Sequence, residues 1–294
     1  MSERRSFSLS VNPAAGGGRA AAALPEVEAM LRRHDVDYHV ERTTSLDHAR
    51  LLARAAIAAD ETTVTLGGDG LVGPVAGVLS GTDGVLGVLP GGRGNDFART
   101  LGLPLDPGPA CEVLLAGRER LIDVGDVDGR PFIGIASCGF DSEANRIANE
   151  TKLVKGDLVY AYGAVRALAA WKPARFEVDL DGRERLAFSG FSVGACNTKA
   201  YGGGMFVAPA AEIDDGLLDV VMYRHGTKRR FLYNVTKSFK GRLQESPSVH
   251  VVRAREVRIS ADRPFTMYAD GDPIAELPAT VTTRHRALRV IAPA

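Results

Sequence analysis

Cysteine, lysine and tryptophan are all scarce in this 294-residue chain, and each scarcity excludes something. Three cysteines, Cys111, Cys138 and Cys196, are odd in number, far apart and free of any CxxC or His-rich spacing. That pattern argues against a disulfide framework and against a zinc site, and reads as buried thiols. A surplus of one charge is also missing: 36 basic residues face 36 acidic ones. A general nucleic-acid binder needs such a surplus on one face, so no nucleic-acid partner is expected and any polyanion site must be local. No run approaches the 18 apolar residues of a membrane-spanning helix, and Met1 to Arg5 leads into only a short apolar stretch, so a cytoplasmic protein is expected. Lysine is absent before Lys152, which leaves Arg and His as the only cations of the first half. With 45% hydrophobic and 24% charged residues the composition is that of a globular protein.

The first 120 residues alternate short apolar runs with helical patterns, as in a parallel sheet covered by helices. Strands are expected at Phe7 to Val11, Tyr38 to Glu41, Thr63 to Leu66 and Val85 to Leu89. Helices are expected at Ala20 to Arg33, Leu46 to Ala59 behind a Ser45 cap, and about Val75 to Leu79. From Leu121 the pattern changes to closely spaced strands: Leu121 to Val127, Phe132 to Ala136, Phe176 to Leu180, Leu186 to Ala195, Leu217 to Tyr223, Val249 to Val252 and Val257 to Ser260. That spacing suggests a β-sandwich or barrel. Helical interruptions fall at Asp141 to Trp171 and Lys228 to Phe239. The run Ala287 to Ile291 either closes the second sheet or returns to the first domain.

Three glycine loops follow expected strands at their carboxyl ends, where open α/β sheets bind ligands. Asn12-Pro13-Ala14-Ala15-Gly16-Gly17-Gly18-Arg19 is a turn rich enough in glycine to bring backbone N–H groups against an anion, without the Gly-Lys-Ser/Thr of a P-loop. Gly67-Gly68-Asp69-Gly70 places three glycines and a carboxylate between a buried strand and a helix. Leu89-Pro90-Gly91-Gly92-Arg93-Gly94-Asn95-Asp96-Phe97 adds a third such loop, and together they make a nucleotide cleft.

Asn-Pro-x-x-Gly, Gly-Gly-Asp-Gly and Pro-x-Gly-x-x-Asn-Asp-Phe-Ala-Arg, in this order, resemble the diacylglycerol kinase catalytic-domain family, which includes related phospholipid, sphingosine and ceramide kinases. The similarity continues through Gly139-Phe140-Asp141, Tyr201-Gly202-Gly203-Gly204-Met205, the run Pro209 to Asp219, and Asp270-Gly271-Asp272. It implies an α/β + β fold: an N-terminal α/β nucleotide-binding domain over residues 1–120, a β-sandwich lipid-substrate domain over 121–284, and a final strand at about 285–294 that rejoins the first. It also implies an ATP- and Mg-dependent lipid kinase acting on the hydroxyl of a diacylglycerol-like or sphingoid lipid.

By the same resemblance, ATP contacts fall on Asn12, Pro13, Ala14, Ala15 and Gly16, on Thr43, on Gly67, Gly68, Asp69, Gly70, Leu71, Val72 and Gly73, and on Arg93 and Asn95. Asp69 is implied as metal ligand or base. Asp272 stands where the family usually has the Glu of Asp-Gly-Glu, its usual proton acceptor, with Asp270 as rival base. The shorter side chain withdraws the carboxylate by roughly 1.5 Å. Relatives imply a structural metal at Glu212, Asp215 and the Leu217 carbonyl, hard oxygens suited to Mg²⁺.

The chain departs from the pattern at Gly70-Leu71-Val72-Gly73-Pro74, where the family reads Gly-Thr followed by x-Asn-Glu, and at Arg93, where threonine is usual. Arg19 or Arg93 is a candidate for the charge that lysine carries in some relatives. A degenerate nucleotide- or lipid-binding relative and an NAD kinase are the alternatives; Asn95 to Arg99 and Asp215 to Asp219 favour the lipid-kinase side. On a helical wheel Phe231, Leu232, Val235 and Phe239 form one face opposite Arg229, Arg230 and Lys237, with Lys240 nearby. The segment Lys228 to Lys240 is therefore a candidate for peripheral membrane contact, or equally a surface helix packed by its apolar stripe.

Overall fold

The structure is a computed structural model and describes residues 6–151 and 158–293. The first strands are β1 (Ser6–Val11), β2 (Asp37–Arg42), β3 (Thr62–Gly67) and β4 (Val85–Pro90), interleaved with helices α1 (Arg19–Arg33), α2 (Leu46–Ala58) and α3 (Asp69–Leu79). They pair in parallel in the order β4-β3-β1-β2. All six β3 residues are buried, as a strand covered on both faces requires. One face packs Phe7, Leu9 and Val11 under Leu24, Val27 and Leu31 of α1 and Cys111 and Leu114 of α5 (Pro107–Ala116). The other packs Leu86 and Val88 against Ala49 and Ala53 of α2 and Val72, Val75 and Leu79 of α3. The Ser45 hydroxyl accepts the His48 N–H at 3.0 Å and starts α2. Helix α3 begins at Asp69, six residues earlier than the periodicity predicts, because Gly68 is its N-cap and the glycine motif is mostly its first turn. A short helix α4 (Asp96–Thr100) ends the third loop.

The second half holds β5 (Glu119–Val127), β6 (Arg130–Phe132), β7 (Ile135–Gly139), α6 (Phe140–Glu150), α7 (Leu158–Ala170), β8 (Ala174–Leu180), β9 (Glu184–Cys196), β10 (Ala200–Tyr201), β11 (Met205–Phe206), β12 (Leu218–Arg224), α8 (Lys228–Ser238), β13 (Val249–Ala254), β14 (Glu256–Ala261), β15 (Thr266–Ala269), β16 (Asp272–Glu276) and β17 (Ala279–Ile291). Residues 152–157 of the helical stretch expected at Asp141 to Trp171 lie outside the described residues. The 13-residue β9 pairs with β8 through Glu184 to Gly190 and with β7 through Ser192 to Cys196. It thereby carries the chain from one layer to the next over a core of Phe176, Val178, Val193, Val220, Met222, Ile259 and Val281. Each such side chain contributes about 1.5–3 kcal/mol on burial.

The last strand takes both of the routes left open for it. β17 pairs antiparallel with β14 and β5 and ends parallel to β4, Arg289 beside Val85 and Val290 beside Leu86. The α/β sheet and the second sheet are thus one hydrogen-bonded surface.

Two local expectations are corrected. Phe132 to Ala136 is no single strand: it breaks between β6 and β7, because the Ile133 and Gly134 N–H groups are taken by the Asp270 carboxylate instead of a neighbouring strand. The apolar face predicted for α8 is divided, since Phe231 packs inward beside Asn234 and Ser238 while Leu232, Tyr233 and Phe239 are exposed. Phe231 is drawn in by the rings of Phe140, Phe191 and Tyr223, an aromatic pocket that the wheel does not show. All three cysteines are free and buried.

Candidate active site

The three glycine loops meet backbone to backbone. The Gly91 N–H donates to the Gly67 carbonyl at 2.6 Å, and a Cβ on Gly92 would stand 2.4 Å from the Gly68 Cα. A Cβ on Gly16 would stand 2.4 Å from the Gly91 carbonyl oxygen, and Gly16, Gly17 and Gly18 all have positive φ. The glycines therefore serve the contact between loops. Arg19 turns back to donate to the Gly92 carbonyl, which ties the first loop to the third. Asn95 is buried and spends its amide on the Gly92 backbone, accepting from N at 2.9 Å and donating to O at 3.1 Å. Its side chain holds the loop in shape. Arg93 is exposed at the loop tip. Thr43, next after β2, is fixed to the end of β1, its N–H and hydroxyl both donating to the Val11 carbonyl. Leu71 and Val72 are buried in the core, so only their backbone can face a nucleotide.

Asp69 opens α3, and its carboxylate accepts the Asp96 N–H at 3.1 Å and the Phe97 N–H at 3.0 Å, which joins the second loop to the start of α4. Asp96 accepts in turn from the Gly203 N–H at 2.8 Å, a link to the Gly202 to Gly204 turn of the second half. Burial pushes the Asp96 carboxyl up, the Gly203 N–H opposes it, and the charge of Asp69 adds to the rise. Sequence reasoning used Asp96 only as part of a motif and missed this bridge.

A cavity of about 770 Å³ opens beside these loops, lined by Asp69, Gly70, Gly73 and Pro74 on one side and Asp270, Asp272 and Pro273 on the other. Asp270 is the first residue of the two-residue turn between β15 and β16 and takes three backbone donors, Ile133 at 2.8 Å, Gly134 at 2.9 Å and Ile135 at 3.3 Å. Burial still raises its carboxyl to about 6 against those donors, helped by the Asp69 charge. Asp272 is exposed at the cavity wall, and among the described residues its side chain has no hydrogen-bond partner. The fold thus brings Asp69, Asp270 and Asp272 to one cavity, while Asn12 to Gly16, Thr43, Arg93 and Asn95 stand outside its lining. Pro74 sits inside α3 without an N–H, which frees the Gly70 carbonyl at this wall from its helical partner.

Glu212, Asp215 and Leu217 lie on the turn before β12, away from that cavity. Asp215 accepts the Leu217 N–H at 2.9 Å and faces Arg253 at 3.3 Å. Neighbouring Asp219 is pushed up by burial first, with Arg253 opposing and the charges of Asp215 and Glu212 adding. Arg253 thus already occupies one of the hard carboxylate oxygens that a divalent cation would take here. Among the described residues no three His, Cys, Asp or Glu side chains are placed to hold a metal ion.

The turn is secured from beneath by a carboxylate the sequence did not reveal. Fully buried Asp123 accepts the Gly216 N–H at 2.6 Å and the Arg286 N–H at 2.7 Å and meets His285 Nδ1 at 2.8 Å. In the second half Asp141 lies near a cluster of Phe140, Trp171, Phe191 and Phe231, and burial raises its carboxyl to about 6.

Residues 7–127 match the diacylglycerol kinase catalytic domain, and residues 134–292 match the YegS C-terminal NAD kinase beta sandwich-like domain. A diacylglycerol kinase of Mycobacterium tuberculosis is 33% identical over 289 residues, 96% of this chain and 93% of that one. A diacylglycerol kinase of Bacillus subtilis is 27% identical over 291 residues, 96% of this chain and 94% of that one. The crystal structure of a diacylglycerol kinase from Bacillus anthracis shares the fold, with a TM-score of 0.79 at 20% identity over 100% of this chain and 98% of that one.

Proposed function

Because the chain belongs to the diacylglycerol kinase family and is a lipid kinase by that membership, we propose that the cavity of Asp69, Asp270 and Asp272 is where a phosphoryl group passes from ATP to a lipid hydroxyl. The observation that carries the reading is the convergence of three carboxylates on one cavity beside mutually packed glycine loops. In this reading the loops at Asn12 to Gly16, Gly67 to Gly73 and Gly91 to Asn95 border the triphosphate, with the Gly91 and Gly92 N–H groups already spent within the loops, and Thr43 borders the nucleoside. The acceptor oxygen attacks the γ-phosphorus, its bond to the ADP oxygen breaks, and the hydroxyl proton passes to a carboxylate.

Asp272 is the proposed proton acceptor. Asp270 would have to surrender three backbone donors to reach a ligand, whereas the Asp272 carboxylate is unengaged among the described residues. Asp270 is then a positioning residue that fixes the β6 to β7 break and adds negative field, and Asp69 holds the third loop against the second. Mg²⁺, when bound, would neutralise phosphate charge at Asp69, and a second cation would be held at Glu212, Asp215 and the Leu217 carbonyl. The acceptor is a diacylglycerol-like or sphingoid lipid. Leu232, Tyr233 and Phe239, exposed by 51%, 60% and 55% beside Arg229 and Arg230, are the proposed contact with an anionic bilayer surface. Among the described residues no helix is long and apolar enough to cross a membrane.

Transfer of γ-labelled phosphate from ATP with Mg²⁺ to a panel of diacylglycerol, phosphatidylglycerol, sphingosine, ceramide and NAD tests the reading. A labelled lipid supports it and identifies the acceptor. Label on NAD alone, or on none of the panel, contradicts it.

A further inference from the structure

The cavity that holds the three carboxylates has a second end of opposite sign. Arg50 and Arg54 stand four residues apart on α2, so their side chains leave the same face of the helix, and both line the cavity together with Arg130 of β6. Arg50 meets Asp47 at 2.7 Å, but the Asp47 side chain is 88% exposed, and such a pair contributes only a few tenths of a kcal/mol. No carboxylate pairs with Arg54 among the described residues. Arg130 donates one N–H to the Ile274 carbonyl at 2.6 Å, which pins its planar head to the β15–β16 hairpin and leaves further donors of the fork unspent. Three guanidinium groups bordering one cavity repel each other unless an anion enters.

We propose that the Arg50, Arg54 and Arg130 end of this cavity is a phosphate subsite, seating the phosphate of a ligand whose reacting end meets Asp69, Asp270 and Asp272. This inference rests on the lipid-kinase reading. For an anionic acceptor the polarity of the cavity sets the orientation: its phosphate is repelled by the carboxylates and drawn to the arginines, while its uncharged hydroxyl is tolerated at the acidic end. Guanidinium forks match phosphate oxygens in pairs, which a lone ammonium does not. The volume, about 770 Å³, suits a nucleotide or a lipid headgroup. Two sources supply that chemistry, the polyphosphate of the donor nucleotide and the phosphodiester of an anionic acceptor lipid. The subsite also gives a use to the arginine-only cation supply of the first half.

The test is binding by calorimetry to the full chain and to the Arg50→Gln/Arg54→Gln and Arg130→Gln variants. The probes are a non-hydrolysable ATP analogue, short-chain phosphatidylglycerol and, as uncharged control, short-chain diacylglycerol. Arg54 and Arg130 are exposed and Arg50 is half-buried, so the variants are expected to melt with the wild type. At least a tenfold loss for one phosphate-bearing probe, with diacylglycerol binding unchanged, supports the subsite. Loss for the nucleotide assigns it to the donor, and loss for phosphatidylglycerol assigns it to the acceptor. Unchanged binding of both phosphate probes overturns it, as does a wild type that binds neither. Phosphate transfer by the same preparations separates this from the parent reading. An active wild type with unaffected variants sinks the subsite alone, whereas probe binding lost in the variants of an inactive wild type sinks the kinase reading alone.

Discussion

Replacing Gly92 by alanine tests the packing of the glycine loops with little change in chemistry. The new methyl carbon would stand 2.4 Å from the Gly68 Cα and 2.8 Å from Asn95 Oδ1, the first of which is backbone and cannot rotate away. Carbon contacts sit near 3.5–4.0 Å, so the second and third loops must part by roughly 1 Å. Overpacking of this kind costs about 1–3 kcal/mol of stability, and a displacement near 1 Å at a reacting centre costs on the order of 10²-fold in rate. Gly70→Ala is the matched control, because nothing lies within 4 Å of its added carbon and its φ is not positive. Alanine in that helical turn stabilises by about 0.5–1 kcal/mol, yet its methyl group projects where a nucleotide would lie against the cavity wall. Denaturant unfolding and ATP calorimetry on both proteins should separate the effects: Gly92→Ala loses stability and turnover, and Gly70→Ala keeps stability but binds ATP about tenfold more weakly. A Gly92→Ala protein that unfolds and turns over as the wild type does refutes the loop packing. Wild-type ATP affinity in Gly70→Ala refutes the placement of the nucleotide.

Asp123→Ala leaves two backbone N–H groups and a histidine facing an empty buried site and should destabilise by about 3–5 kcal/mol in denaturant unfolding; a loss under about 1 kcal/mol contradicts its role beneath the 212–217 turn. For Asp270, a carboxyl raised from 3.8 to about 6 means that the folded protein binds the extra proton between those values, so this group lowers stability by about 3 kcal/mol as pH rises through that window. Protonation below about 6 also removes the charge that faces the Ile133 to Ile135 amides, so activity should fall on that side, and Asp270→Asn should lack the limb near 6 in its pH–rate profile. Leu232→Ser combined with Phe239→Ser removes exposed apolar surface without touching Phe231, and should weaken sedimentation with anionic vesicles at least fivefold while leaving the melting temperature unchanged; equal sedimentation removes α8 from the membrane contact.

The legible parts of this molecule were those written locally. The strands that precede the glycine loops show as short runs of apolar and small hydroxyl residues, nearly all of them buried, and the Ser45 cap starts a helix at its expected place. The glycine motifs suggested an anion site, but did not show that Gly16, Gly91 and Gly92 are demanded by a neighbouring loop, since that requirement arises only when loops 24 or more residues apart come into contact. Asp123 reads as one more acid in a strand; its value depends on Gly216 and Arg286, 93 and 163 residues away. The break between β6 and β7 was hidden for the same reason, its cause being Asp270 at the far end of the chain. The helical wheel of α8 failed because periodicity locates an apolar stripe without saying how deep the receiving pocket is, and here the aromatic cluster admits Phe231 and leaves Leu232 outside.

Turnover of Asp272→Asn at saturating ATP and lipid, measured beside its ATP affinity, bears most directly on the assignment of the cavity. Loss of the proton acceptor with the glycine loops intact should lower kcat on the order of 10²–10⁴-fold and leave ATP binding as in the wild type. An Asp272→Asn protein that phosphorylates lipid at the wild-type rate contradicts the role given to this carboxylate and, with it, the orientation of the acceptor in the cavity.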